Sequence, residues 1–119
     1  MKEQIRDLDR LLDIIEQCNF IVRHTNINED DFYREEVLKL AVMKSLEIIG
    51  EAATQISKET KINFVEIEWQ QMIRARNFYI HEYFKIQWPL VWASVKREID
   101  FEKIKNYCSY IIEQIKTEL

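Results

Sequence analysis

The segment Ile5–Val22, IRDLDRLLDIIEQCNFIV, places Leu8, Leu11, Ile15, Cys18 and Val22 at alternating spacings of three and four residues. That period is helical and gathers the five side chains on one stripe. Ile5, Leu12, Ile14 and Ile21 widen it. The spacing predicts a first helix over about Lys2–His24. The polar run TNINEDD (25–31) follows as a connection, and Asn28 can cap a short turn through Tyr33.

The same period returns downstream. Val42, Leu46, Ile49, Ala53 and Ile56 predict a second long helix from about Arg34 to Ser57, with Ala41, Ser45, Gly50 and Ala52 close to the stripe. Gly50 is the only glycine of the chain. A mid-helix glycine costs up to about 1 kcal/mol relative to alanine, so its presence predicts the close approach of another helix. KETKINFVEI (58–67) reads as a connection, and a further helix begins near Ile67 or Glu68. FKIQW (84–88) interrupts it. Pro89 suits the first turn of a helix over about Trp88–Arg97, and Asp100 can cap a last helix with the stripe Ile104, Cys108, Ile111, Ile115 and Leu119. Trp69, Trp88 and Trp92 read as packing. The expectation is all-α: an antiparallel up-and-down bundle of four to five helices forming one domain over residues 1–119.

Composition narrows the function classes. With one glycine and one proline in 119 residues, the repeated turns of a sandwich or barrel have no residues to build them. The net charge of −4 excludes nucleic-acid binding by bulk electrostatics, so any such contact must come from a local patch. Arg74, Arg76 and Lys85 stand against Glu82 around His81, which makes that window basic. Cys18 and Cys108 lack a CxxC partner and sit on apolar stripes, so they read as buried thiols of a reducing compartment. No apolar run reaches the length of a membrane span, and MKEQIRDLDR has no signal-peptide core. A cytoplasmic protein without membrane contact is expected.

That basic window contains RNFYIHEY (76–83). On a helix, Met72, Arg76, Tyr79 and Tyr83 share one stripe, and Ile73, Asn77, Ile80 and Phe84 the next. Arg76 and Asn77 thus interrupt apolar faces. His81 lies five residues after Arg76, about 140° around an ideal helix. Either the helix bends or ends near His81, or the two groups converge from two copies of the chain across a wet, cationic dimer groove formed by this helix. Histidine trades protons near neutrality, and arginine is a permanent fork for phosphate oxygens. Together they suit phosphodiester cleavage: His81 takes the proton of an RNA 2′-hydroxyl and Arg76 stabilises charge growing on phosphorus. No metal or other cofactor is expected. Asn77 can orient the phosphate or the imidazole, Arg74 can share the anion, and Tyr83 can bind phosphate or stack on a base. The structural alternative is that Arg76 pairs with Glu51 or Glu47 inside the bundle.

Arg76, His81 and Tyr83 spell R-x4-H-x-Y. With LEIIGEAATQIS (46–57) upstream, WQQMIRARNFYIHEYF (69–84) around the motif and VWASVKREI (91–99) after it, the chain resembles the HepT family of HEPN-domain proteins. The resemblance implies a homodimeric, all-helical endoribonuclease toxin with Arg76 and His81 as a composite catalytic pair. It implies as partner an antitoxin, a minimal nucleotidyltransferase of the MntA type, which transfers AMP to the motif tyrosine, here Tyr83. The alternative within the same fold is a non-catalytic helical dimer that binds nucleotide or serves as the partner subunit of such a nucleotidyltransferase. A third reading, a bare structural dimer, leaves the polar pair unexplained.

Overall fold

Helix α1 covers Lys2–His24 in the computed structural model, which describes residues 2–76 and 85–119. The described residues contain seven α-helical segments and no strand. The others are α2 (Glu29–Arg34), α3 (Glu36–Gln55), α4 (Lys58–Asn63), α5 (Trp69–Ala75), α6 (Trp88–Ala93) and α7 (Phe101–Glu118). A π-helical turn over Ser94–Glu98 extends α6. Helix α1 is the centre of the bundle, packed along α7 on one side and α3 on the other, and α5 lies against α3.

Two hydrogen bonds fix the direction of α3 against α1. Gln17 accepts from the Ser45 hydroxyl at 2.6 Å, and Asp7 accepts from the Ser57 amide at 2.9 Å. As the chain descends α1 its partners climb α3, so the two helices are antiparallel.

The core is the set of stripes that the spacing predicts, with one rotation. All of Val42, Leu46, Ile49, Ala53 and Ile56 are buried, as are Ile104, Cys108, Ile111 and Ile115. Leu119 is exposed. In α1 the buried line is Asp7, Leu11, Ile14, Cys18 and Ile21, while Leu8 and Ile15 are half-buried and Leu12 is 54% exposed. The helix has turned by one position toward Asp7. That carboxylate is fully buried and accepts three hydrogen bonds: the Ser57 amide, the Ser57 hydroxyl at 2.7 Å and the Thr60 hydroxyl at 2.6 Å. A buried carboxylate is tolerated only when its lone pairs are occupied in this way.

This joint also explains α4, which lies in the stretch whose spacing reads as a connection. Ser57, held by Asp7, caps α4 by accepting from the Thr60 amide at 3.3 Å. Thr60 is the only buried residue of the six, so no apolar period marks the segment. The predicted caps at Asn28 and Asp100 are present, accepting from the amides of Asp31 at 2.8 Å and Lys103 at 3.0 Å. Pro89 occupies the first turn of α6. Phe32 of α2 is fully buried with its ring 4.9 Å from that of Trp92, so the tryptophans of this region are packing residues.

The π turn ends α6 with an i→i+5 bond from the Ile99 amide to the Ser94 carbonyl, 3.0 Å. Lys96, projected from the widened turn, donates to the Thr25 carbonyl at 2.8 Å and covers the Trp92 ring. Both thiols are buried between α1 and α7, and burial pushes the pKa of each up to about 12. Such thiols have little thiolate character at neutral pH, in keeping with a packing role.

Candidate functional site

The helices α3 and α5 meet at Gly50. A Cβ built on Gly50 would stand 2.6 Å from Arg76 Cβ, 3.2 Å from Arg76 Cγ and 3.0 Å from the Met72 carbonyl oxygen. The close approach predicted from the lone glycine is therefore real, and the group that occupies the space is the base of the Arg76 side chain. Arg76 immediately follows α5, whose Met72 and Ala75 are buried. The packing of these two residues on α3 carries Arg76 to the same helix face.

The far end of Arg76 is held by α3 as well. Nη1 donates to Glu51 Oε1 at 2.6 Å and to the Thr54 hydroxyl at 3.3 Å. Thr54 spends its own hydroxyl proton on the Gly50 carbonyl, 2.8 Å away, which leaves an oxygen lone pair for the guanidinium. Glu51 and Thr54 lie one turn apart, so both present to the same side of α3. The Arg76 side chain keeps 27% of its exposure and that of Glu51 49%, so the pair sits at the rim of the bundle rather than inside it.

One atom breaks the pattern. Arg76 Nε is buried and has no hydrogen-bond partner, the only such side-chain atom among the described residues. A buried donor left unpaired costs about 1–3 kcal/mol, and native structures hold few of them. Each one calls for an explanation, such as local strain, a functional role or a bound water or ion.

Of the residues singled out by sequence, the structure places Arg76 in this seat and Arg74 apart from it. Arg74 is exposed on α5, two residues and hence about 160° from Arg76 around a helix, and makes no ion pair among the described residues. Asn77, His81 and Tyr83, with Tyr79 and the helical stripes drawn through them, lie outside the described residues. Between the two bundle partners considered for Arg76, the structure selects Glu51, whereas Glu47 pairs with Lys44 at 3.0 Å. Thr54 was not singled out. Its signal was available in hindsight, because Gly50, Glu51 and Thr54 stand at helical spacings on the face that the glycine opens. No group of three or more His, Cys, Asp or Glu residues that could hold a metal ion occurs among the described residues. No described helix is long and apolar enough to cross a membrane.

The seat gives a direct test. Gly50→Ala adds one methyl group against Met72 O, which is backbone, and Arg76 Cβ, which no rotamer change can move. The helix-propensity gain of up to about 1 kcal/mol is opposed by an overpacking cost of about 1–3 kcal/mol. We expect a net loss of stability of about 1 kcal/mol and a displaced Arg76, read by thermal melting together with a crystal structure of the variant. A variant more stable than the parent with Arg76 in place would show that α5 yields freely.

Comparison with known proteins agrees with this architecture. The family model described as "Ribonuclease HepT-like" matches residues 1–111. The chain is 36% identical over 97 residues to "Putative RNase MJ1380" of Methanocaldococcus jannaschii, covering 81% of this chain and 87% of that protein. It is 34% identical over 87 residues to "Putative RNase TTE0752" of Caldanaerobacter subterraneus, covering 72% and 78%. It is 37% identical over 104 residues to "Probable ribonuclease HepT" of Thermococcus cleftensis, covering 82% and 94%. No solved structure gives a significant match. On the family match across nearly the whole chain, and on relatives more than a third identical to it over the aligned stretch, the protein belongs to the HepT-like ribonuclease family.

Proposed function

We propose that the protein is a metal-independent endoribonuclease toxin, a single HEPN-like domain over residues 1–119 that works as a homodimer. In this reading Arg76 of one copy and His81 converge on one phosphodiester. His81 accepts the proton of the 2′-hydroxyl, the 2′ oxygen bonds to phosphorus, and the bond to the 5′ oxygen breaks. The departing 5′ oxygen takes a proton back from the imidazolium. The products are a 2′,3′-cyclic phosphate and a 5′-hydroxyl. Arg76 stabilises the charge on the phosphoryl oxygens as it builds, with Arg74, Asn77 and Tyr83 guiding the RNA.

The observation that carries the reading is the placement of Arg76. Its guanidinium is tethered at one nitrogen, remains partly open to solvent, and includes the single orphaned buried side-chain donor of the described residues. An arginine serving only the bundle would be expected to have its donors satisfied there.

The off-switch follows in the same terms. A minimal nucleotidyltransferase antitoxin transfers AMP from ATP to the Tyr83 hydroxyl, forming a phosphodiester and releasing pyrophosphate. Tyr83 stands seven residues beyond Arg76 and two beyond His81 in the motif. The added phosphate would then pair with the cations meant for the RNA backbone, and the adenosine would block entry.

The test is expression of the chain alone and with its cognate nucleotidyltransferase. RNA fragments ending in 2′,3′-cyclic phosphate are expected from the chain alone, with or without EDTA. On co-expression, intact mass should rise by one adenylyl group on Tyr83 and cleavage should cease. Tyr83→Phe should keep at least part of the activity and escape silencing. Intact RNA with the unmodified wild-type protein, under conditions where it is folded, would favour the non-catalytic partner subunit. Silencing with the adenylyl group on Tyr79 and Tyr83 bare would remove Tyr83 from the switch.

A further inference from the structure

The reading of Arg76 as catalytic leaves open why α3 presents a carboxylate and a hydroxyl to it. We propose that Glu51, with Thr54 beside it, is a positioning residue: it aims the Arg76 guanidinium at the scissile phosphate from the neighbouring helix. The proposal rests on the ribonuclease reading above and deepens it.

Three observations support it. First, the contact is selective. Glu51 and Thr54 both engage Nη1, at 2.6 and 3.3 Å, and neither takes Nη2 or Nε. Arginine binds phosphate through a fork of two parallel donors. Held at Nη1 and with Nε buried, the guanidinium has its direction fixed and offers the ligand Nη2 rather than the full fork.

Second, the charge of Arg76 is only partly offset. The Glu51 side chain is half exposed, so water screens its carboxylate. A bundle that needed to neutralise Arg76 would bury the pair and satisfy Nε. Third, the seat is built at a structural cost. The chain's only glycine lies in the residue before Glu51 and gives Arg76 passage across α3. Clearance at Gly50, direction from Glu51 and a lone pair from Thr54 thus come from a single turn of α3.

The physical role is preorganisation. A free arginine side chain samples many rotamers, and ordering it during the reaction slows the chemical step. A guanidinium already aimed does not have to be ordered again when charge develops. The effect belongs to kcat, because it matters most where the phosphoryl charge is greatest.

The experiment compares the full-length Glu51→Gln, Thr54→Val and Glu47→Gln proteins with the parent, by steady-state cleavage of a defined RNA oligonucleotide and by thermal melting. Glu51→Gln keeps the shape and an acceptor oxygen but loses the charge that grips Nη1. It should lower kcat by roughly ten- to a hundredfold with KM changed less than about threefold. Thr54→Val should lose less. Glu47→Gln lies one turn earlier, pairs with Lys44 and should cleave like the parent.

Coupling separates positioning from a structural role. In an Arg76→Lys background, Glu51→Gln should have little further effect on kcat, since the two changes remove one interaction. An additive loss, or a fall in melting temperature that accounts for the loss of activity, would overturn the proposal. So would a Glu51→Gln protein with the parent's kcat, or with a higher one, which would make Glu51 a restraint instead. The ribonuclease reading fails separately, if the folded parent cleaves no RNA, and the catalytic role of Arg76 fails if Arg76→Ala cleaves like the parent.

Discussion

Substituting either member of the proposed pair should nearly abolish RNA cleavage while leaving the bundle folded. A positioned general base contributes about 10²–10⁴-fold, so His81→Ala should fall by that factor. Arg76→Ala should lose about 10²–10³-fold, mainly in kcat, if the guanidinium acts on the transition state rather than on binding. Arg76 lies at the bundle rim, and its removal relieves an orphaned buried donor, so stability should change little. Mixing the two inactive chains is the sharper measurement. If each site draws Arg76 from one copy and His81 from the other, heterodimers should regain part of the activity. No recovery from mixed chains that demonstrably exchange subunits would place both groups in one copy. A sedimentation mass of one chain at cleaving concentrations would exclude the shared site altogether.

The second large effect is on stability. Asp7→Ala should cost about 3 kcal/mol, because it strips the acceptor from one buried amide and two hydroxyl groups at once. For a domain of this size that corresponds to a fall in melting temperature of roughly 10 °C. Asp7→Asn should cost less, about 1 kcal/mol: one oxygen still accepts from the Ser57 amide, and the hydroxyls can turn to accept from the new amide. The activity of the folded fraction should be unaffected, since Asp7 bonds to Ser57 and Thr60 and to none of Gly50, Glu51, Thr54 and Arg76. A melting temperature within about 2 °C of the parent for Asp7→Ala would show that water replaces the carboxylate without loss.

Local period made most of the fold legible. The bounds of α1, the buried stripe of α3 and the caps at Asn28 and Asp100 follow from residues within a few positions of one another. The rotation of α1 toward Asp7 does not, because its partners stand 50 and 53 residues away. Helix α4 was hidden for the same reason: its cap is anchored by that distant carboxylate, and it buries one residue only. At the candidate site, the glycine announced that something comes close, and the motif marked Arg76 as a candidate site residue. That these are one event, with Arg76 as the neighbour of Gly50 and Glu51 as its tether, required the packing of α5 on α3. Spacing alone could not choose Glu51 over Glu47, since both lie on the same helix one turn apart.

The seat at Gly50 also constrains how this sequence can change. The nearest atoms to a side chain at position 50 are Arg76 Cβ, which every residue but glycine carries, and the Met72 carbonyl oxygen, which is backbone. The glycine is therefore locked by the approach of α5 rather than by the identity of residue 76, despite being a poor helix former. Replacing the arginine alone leaves the lock shut. An alanine at position 50 would be the mark of a repacked α5, whatever residue stands at position 76.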